Sequence, residues 1–139
     1  MKILLYPDQR LTKKCSEVAK EEISLLDGTV KRMRNLIRKE NGAALAAPQV
    51  GILKRFFVTP TKVFINPIWR PFKQAGVLIV EEGCLSFPGL FVRKRRYKSI
   101  RVAYFDMEGK IHEEQLKDFG AQVVQHESDH LNGVLFIDE

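Results

Sequence analysis

Apolar residues recur along this chain at two different spacings. From Glu21 to Lys39, Ile23, Leu26, Val30, Met33 and Ile37 advance alternately by three and by four positions. That interval sets one buried stripe along an α-helix. Gly28 inside it costs about 1 kcal/mol relative to alanine, and Asn41-Gly42 supplies a C-terminal stop. The stripe spans too few heptads for a coiled-coil seam, so it is assigned to core packing. Farther along, "RFFV" (55–58), "KVFINP" (62–67) and "VLIVEE" (77–82) are short branched and aromatic runs bounded by proline or glycine, which predicts strands. "SIRVAYFDMEGKIHEEQL" places Ile100, Val102 and Tyr104 on one face, and its centre, Asp106-Met107-Glu108-Gly109, has the chemistry of a turn closed by a left-handed glycine. A hairpin is expected there. A second helix is expected to begin at Asp118, acting as its cap, and to end at Asn132-Gly133. Phe119, Val123 and Leu131 imply that this helix is largely buried.

Length and composition narrow the picture. The 139 residues, 45% hydrophobic and 29% charged, suit one ordinary soluble domain spanning 1–139. No apolar run approaches the roughly 18–20 residues that cross a bilayer. The opening "MKILLYPDQR" is too short in apolar residues for an export signal, so a cytoplasmic chain is expected. The net charge of +6 collects in "KRMRNLIRK" (31–39) and "VRKRRYK" (92–98). Both are read as solvated faces, with a weak attraction for RNA, such as a ribosome surface, as the alternative. Cys15 and Cys84 could form a disulfide, but a reducing interior would leave both free.

Chemistry enters with "QHESDHLNG" (125–133). On a helix, His126 and His130 project from one face and can share an ion, while Glu127 reaches a water on it without ligating. The competing reading is a polar helix face with two unliganded histidines; on a buried helix such groups are expensive. The expected architecture is thus α+β: antiparallel β-sheets packed around a central metal-binding helix, with one N-terminal amphipathic helix. An active ion needs a third protein ligand. His112, Cys84, Cys15, Asp129 and Glu113 are the candidates. His112, just past the hairpin turn, is expected to face solvent. Cys84 sits in "EEGCLSFPG" (81–89), directly after an apolar strand, where glycine and proline allow a tight, exposed geometry. Alone it would be an ordinary small hydrophobe; the histidine helix favours it as the ligand.

The motifs "GAALAAPQVG" (42–51), "EGCLS" (82–86) and "QHESDH" (125–130), with "YPDQRL" (6–11) and "FINP" (64–67), resemble the peptide deformylases in order and over nearly the whole chain. The resemblance implies one divalent metal held by Cys84, His126 and His130, with water in the fourth position. Ferrous iron is implied by the resemblance alone, with zinc, nickel or cobalt possible; the donor set by itself points to zinc. A cysteine and a ferrous ion are both open to oxidation. The implied reaction hydrolyses the formyl group of N-formylmethionine on nascent polypeptides. The metal lowers the pKa of its water, Glu127 moves the proton, and Gln49 with the amide of Leu85 stabilises the oxyanion. Ala43, Ala44 and Gly83 are implied to pair with the peptide as an added strand, with Val123 lining the methionine pocket.

Three features depart from the family pattern. Ala44 stands where the family has its second glycine, which is expected to narrow the edge and forbid positive φ. The sequence ends at "VLFIDE", which suggests a compact form without the usual C-terminal helix, as in virus-encoded members. The linker between "RFFV" and "FINP" is short, a trimmed loop expected to leave the active site untouched. A monomer binding neither DNA nor membrane is expected. Two other functions stay open: a metal-dependent amidase or peptidase of different acyl specificity, motivated by Ala44, and a catalytically weak ribosome-binding module, motivated by "RKRR" (93–96). That run also suits a wet strand edge.

Overall fold

Where the early stripe suggests one helix, the chain builds two elements. A computed structural model describes residues 1–138. Lys20–Leu26 winds as 3₁₀ turns and only then does helix α1 run, from Asp27 to Lys39. The tighter winding is held by Glu22, whose carboxylate accepts the Ala19 N–H at 2.8 Å; short 3₁₀ pieces commonly lead into helices. The stripe itself is buried, through Ile23, Val30, Met33 and Ile37. Asn41 takes a left-handed φ of 53°, and the Asn41 and Gly42 amides donate to the carbonyls of Arg38 and Ile37. This closes the helix with asparagine in the position glycine usually fills.

Strands β1 (Leu45–Ala46), β2 (Phe56–Val58), β3 (Val63–Pro71), β6 (Ser99–Phe105) and β7 (Ile111–Lys117) form one antiparallel sheet in the order β1-β2-β3-β6-β7. Strands β4 (Val77–Cys84) and β5 (Phe87–Tyr97) pair separately as a ribbon. The hairpin β6–β7 turns at Asp106–Lys110, with Gly109 at φ 78°, where a side chain would be strained. Strand β5 extends well beyond the strand edge that residues 93–96 suit. Pro88 and Gly89 suggest a turn, and the alternation of the following residues is hidden because both faces carry basic side chains.

Helix α2 runs from Asp118 to Leu131. Two expectations about it fail. Asp118 is its first residue, not its cap; Asp118 has φ 53° and donates its N–H to the Lys98 carbonyl at 2.8 Å, which ties the helix start to the β5–β6 junction. Phe119 is 62% exposed, because the stripe that faces the sheet starts at Ala121 and continues through Val124, Ser128 and Leu131. The two helices clasp the five-stranded sheet. Phe56 and Val58 face the cluster built on α1, while Phe57 between them faces the one built on α2, as strand alternation requires. Burying one such ring contributes about 1.5–3 kcal/mol. The expected α+β class, antiparallel sheets around the late helix, is what forms.

Candidate metal centre

Cys84 is the last residue of β4, where the pairing with β5 slips: Gly83 faces Phe91, but Cys84 faces Phe87. Such an irregularity re-aims a side chain, and here it turns the sulfur toward α2. His126 and His130 lie one turn apart on that helix, with ring centroids 5.1 Å apart and planes at 70°. Donor atoms of Cys84, His126 and His130 all lie within 4.8 Å of one another, and Cys84 Sγ is 3.4 Å from His130 Nε2. The other candidate ligands are engaged elsewhere. Asp129 pairs with Arg96 at 2.8 Å, Glu113 with Arg101 at 3.6 Å, and His112 with Asp106 at 2.7 Å. His112 is thus solvent-facing, as expected, with its side chain 43% exposed. Cys15 is buried apart, and both cysteines are free thiols.

One sulfur and two imidazoles make a borderline-soft donor set with room for a fourth ligand, which fits a four-coordinate divalent ion. The surroundings fit as well. His126 Nδ1–H donates to Glu82 Oε1 at 2.9 Å, so the lone pair of Nε2 is left for the centre. Glu82 is gripped in turn by Arg96, through Nε at 2.7 Å and Nη2 at 2.8 Å. Glu82 and Arg96 are 3% and 7% exposed. Burial acts to raise the Glu82 pKa, but Arg96 and His126 outweigh it and hold the carboxyl at about 2. For His126, burial opposes the charge, yet Cys84 and Glu82 prevail and raise its pKa to about 10. His130, depressed by burial and then by His126, sits at about 3 and is neutral.

Above the sulfur, Gln49 is fixed at both ends. Its Oε1 accepts the Ala46 N–H at 2.9 Å, and its Nε2 donates to Ser86 Oγ at 3.1 Å and lies 3.6 Å from Cys84 Sγ. The amide nitrogen thus faces the centre. Glu127 is buried, which raises its pKa to about 7, and its Oε1 has no hydrogen-bond partner among the described residues. Both side chains border a cavity of about 500 Å³. Ala43, Ala44, Gly83, Leu85 and Val123 also line it, as do Cys84 and His126, while His130 is buried. Ala44 is absent from the left-handed positions, so its backbone asks nothing that only glycine can give. Sequence reading assigned no role to Glu82 or Arg96. The period of two through Val92, Lys94 and Arg96 was the available signal, since it sets Arg96 on the inner face of the ribbon.

The family profile described as Polypeptide deformylase matches residues 1–139. A Thermotoga neapolitana relative, named peptide deformylase, is 41% identical over 142 residues, covering 99% of this chain and 85% of the relative. The crystal structure of peptide deformylase from Thermotoga maritima superposes with a TM-score of 0.91 at 42% identity, over 99% of this chain and 95% of that one. A class I type b peptide deformylase from Acinetobacter baumannii, in its Met-Ala-Ser-bound crystal structure, gives 0.92 at 29% identity, over 99% and 96% of the two chains.

Proposed function

Because the chain belongs to the polypeptide deformylase family, we propose which of its residues perform the hydrolysis and in what roles. As a member it is a hydrolase that removes the N-formyl group from nascent peptides. Residues 1–139 act as one catalytic domain in which Cys84, His126 and His130 hold one divalent cation. The convergence of those three donors on a cavity bordered by Gln49 and Glu127 carries this reading. When bound, the cation supplies a Lewis acid that polarises the formyl oxygen and makes water nucleophilic near neutral pH.

The protein supplies the remaining chemistry. Glu127, its pKa raised by burial, takes the proton of the attacking water and delivers it to the departing amine nitrogen. The formyl carbon gains an oxygen, its bond to nitrogen breaks, and formate leaves beside a free amino terminus. Gln49 Nε2 and the Leu85 N–H donate to the oxyanion that forms between those events. The backbone of Ala43, Ala44 and Gly83 aligns the peptide as an extra strand, and Val123 borders the methionine side chain. The Met-Ala-Ser peptide of the Acinetobacter baumannii structure is the length of substrate this cleft is read to accept.

Ferrous iron is the proposed ion, on the strength of the family, with zinc, nickel and cobalt as substitutes the donor set also accepts. Metal analysis of anaerobically purified protein, paired with formate release from formyl-Met-Ala-Ser, tests both points. A folded, loaded chain that releases no formate would defeat the reading. Glu127→Gln is expected to keep its metal and lose about 10²–10⁴-fold in turnover. Formyl, acetyl and unblocked peptides compared side by side separate this activity from a broader amidase. The cytoplasm, where nascent chains are made, is its proposed location. Ribosome association rests on the basic face of α1 and on Arg93, Lys94 and Arg95, since Arg96 is buried; salt-sensitive co-sedimentation tests it.

A further inference from the structure

A second recess adjoins the substrate cavity and plays no part in the chemistry above. It holds about 330 Å³ and is lined by Arg34, Ile37, Arg38, Asn41, Gly42 and Pro60. Arg34 and Arg38 stand four apart on α1, so their charges face each other across one turn and repel. Neither enters a salt bridge among the described residues. Arg34 is half-buried, and its Nε donates to the Thr59 carbonyl at 3.2 Å. That bond fixes the side chain and leaves its terminal nitrogens for another acceptor. Arg38 makes only a 3.4 Å contact with Asn35 Oδ1. Two guanidinium groups, one of them held in place, form a concave site for an anion.

Asn41 and Gly42 line this recess and the substrate cavity alike. From Gln49 at the reaction centre, the edge read to align the peptide runs back through Ala44 and Ala43 to Gly42 and Asn41. A peptide whose formylated end lies at Gln49 therefore extends toward Arg38. Glu40 and Glu81 also line the substrate cavity and repel an acidic group placed inside it. We propose that Arg34 and Arg38 form a downstream subsite that binds a carboxylate of the substrate, from an acidic side chain beyond the second residue or from the terminus of a short peptide. This subsite rests on the deformylase reading of the cleft. An RNA phosphate is the rival occupant. The recess favours the carboxylate because it is continuous with the peptide path, and Lys31, Arg32 and Lys39, the other cations of the helix, lie outside its lining.

The test uses metal-loaded enzyme and amidated formyl-Met peptides of five residues, with a single Glu or Gln placed at each position after methionine. At a downstream position, Glu is expected to lower KM about fivefold relative to Gln with kcat unchanged, and the difference should fade in high salt. Next to methionine the sign should be neutral or reversed. A matched pair of peptides with free and amidated termini separates the chain terminus from the side chain. In an Arg34→Gln/Arg38→Gln variant the Glu-to-Gln ratio should fall to one, and Arg34→Lys/Arg38→Lys should restore part of it. A charge-blind wild type overturns the proposal, as does a preference that survives the glutamine variant. Charge-blind peptides together with lost affinity for a short RNA in that variant would assign the arginines to RNA instead. Failure to hydrolyse even the neutral peptides would instead remove the deformylase reading itself.

Discussion

Two of the three histidines make nearly the same contact in very different places. His126 Nδ1 lies 2.9 Å from Glu82, and His112 Nε2 lies 2.7 Å from Asp106. The first pair is buried between α2 and the ribbon, and Arg96 and Asp129 extend it. The second stands at the open end of the β6–β7 hairpin, with side chains 43% and 29% exposed. Distance does not separate them, but surroundings do. In the interior, a charge removed from water must be answered by another at every step, so losing one member strands the rest. At the surface, water and salt answer it instead. The buried pair can hold an imidazole in one tautomer for the centre; the exposed one can do little beyond tidying a turn.

The sharpest way to break the contrast is Glu82→Ala. It leaves His126 without its acceptor and Arg96 with Asp129 alone. A loss of about 3 kcal/mol is expected, the low end for a broken buried pair because Asp129 still holds the arginine. Metal affinity should fall about 10–100-fold as His126 loses its orientation. Urea unfolding of the metal-free chain and a competition titration with a chelator read these separately. The pH dependence has a definite sign. Glu82 is depressed to about 2 from an ordinary value of 4.5, so its contribution is complete above about pH 4.5 and is lost as pH falls through about 2. The acid limb of the wild-type stability curve should therefore be steeper than that of the variant.

Arg96→Lys asks less of the network. A lysine ammonium keeps the charge but cannot span both Glu82 oxygens while also reaching Asp129. About 2 kcal/mol is expected to be lost, near the worth of a hydrogen bond to a charged group. Metal affinity should drop less than in Glu82→Ala, since His126 keeps its acceptor. A drop as large as that of Glu82→Ala would show that Arg96, more than Glu82, sets the orientation of the ring.

The same two regions mark what could be read from the sequence. The hairpin was legible because Ile100, Val102 and Tyr104 alternate with polar or smaller residues along β6 and Asp106 through Gly109 spell a turn. The centre was legible because His126, His130 and Cys84 are rare residues in specific settings. The Glu82–Arg96 pair was not, because an inward-facing arginine looks like its basic neighbours Arg93, Lys94 and Arg95. The alternation through Val92, Lys94 and Arg96 is a faint signal, and the partner that explains it lies 14 positions away. The break before α1 was hidden for another reason. A 3₁₀ turn buries Ile23 as well as an α-helical turn would, so the stripe alone does not tell them apart.

His112→Phe sharpens the comparison from its weak side. The replacement ring can keep the stack on Tyr104, now at 5.3 Å and 13°, while removing the bond to Asp106. A change within about 1 kcal/mol is expected. Asp106 is held below its ordinary range, first by His112, so its share of stability is present above that range and fades as pH falls. The gap between variant and wild type should close in acid, and formate release should not change. A loss of several kcal/mol would mean that the exposed pair behaves like the buried one, and that contact distance, not burial, ranks the two.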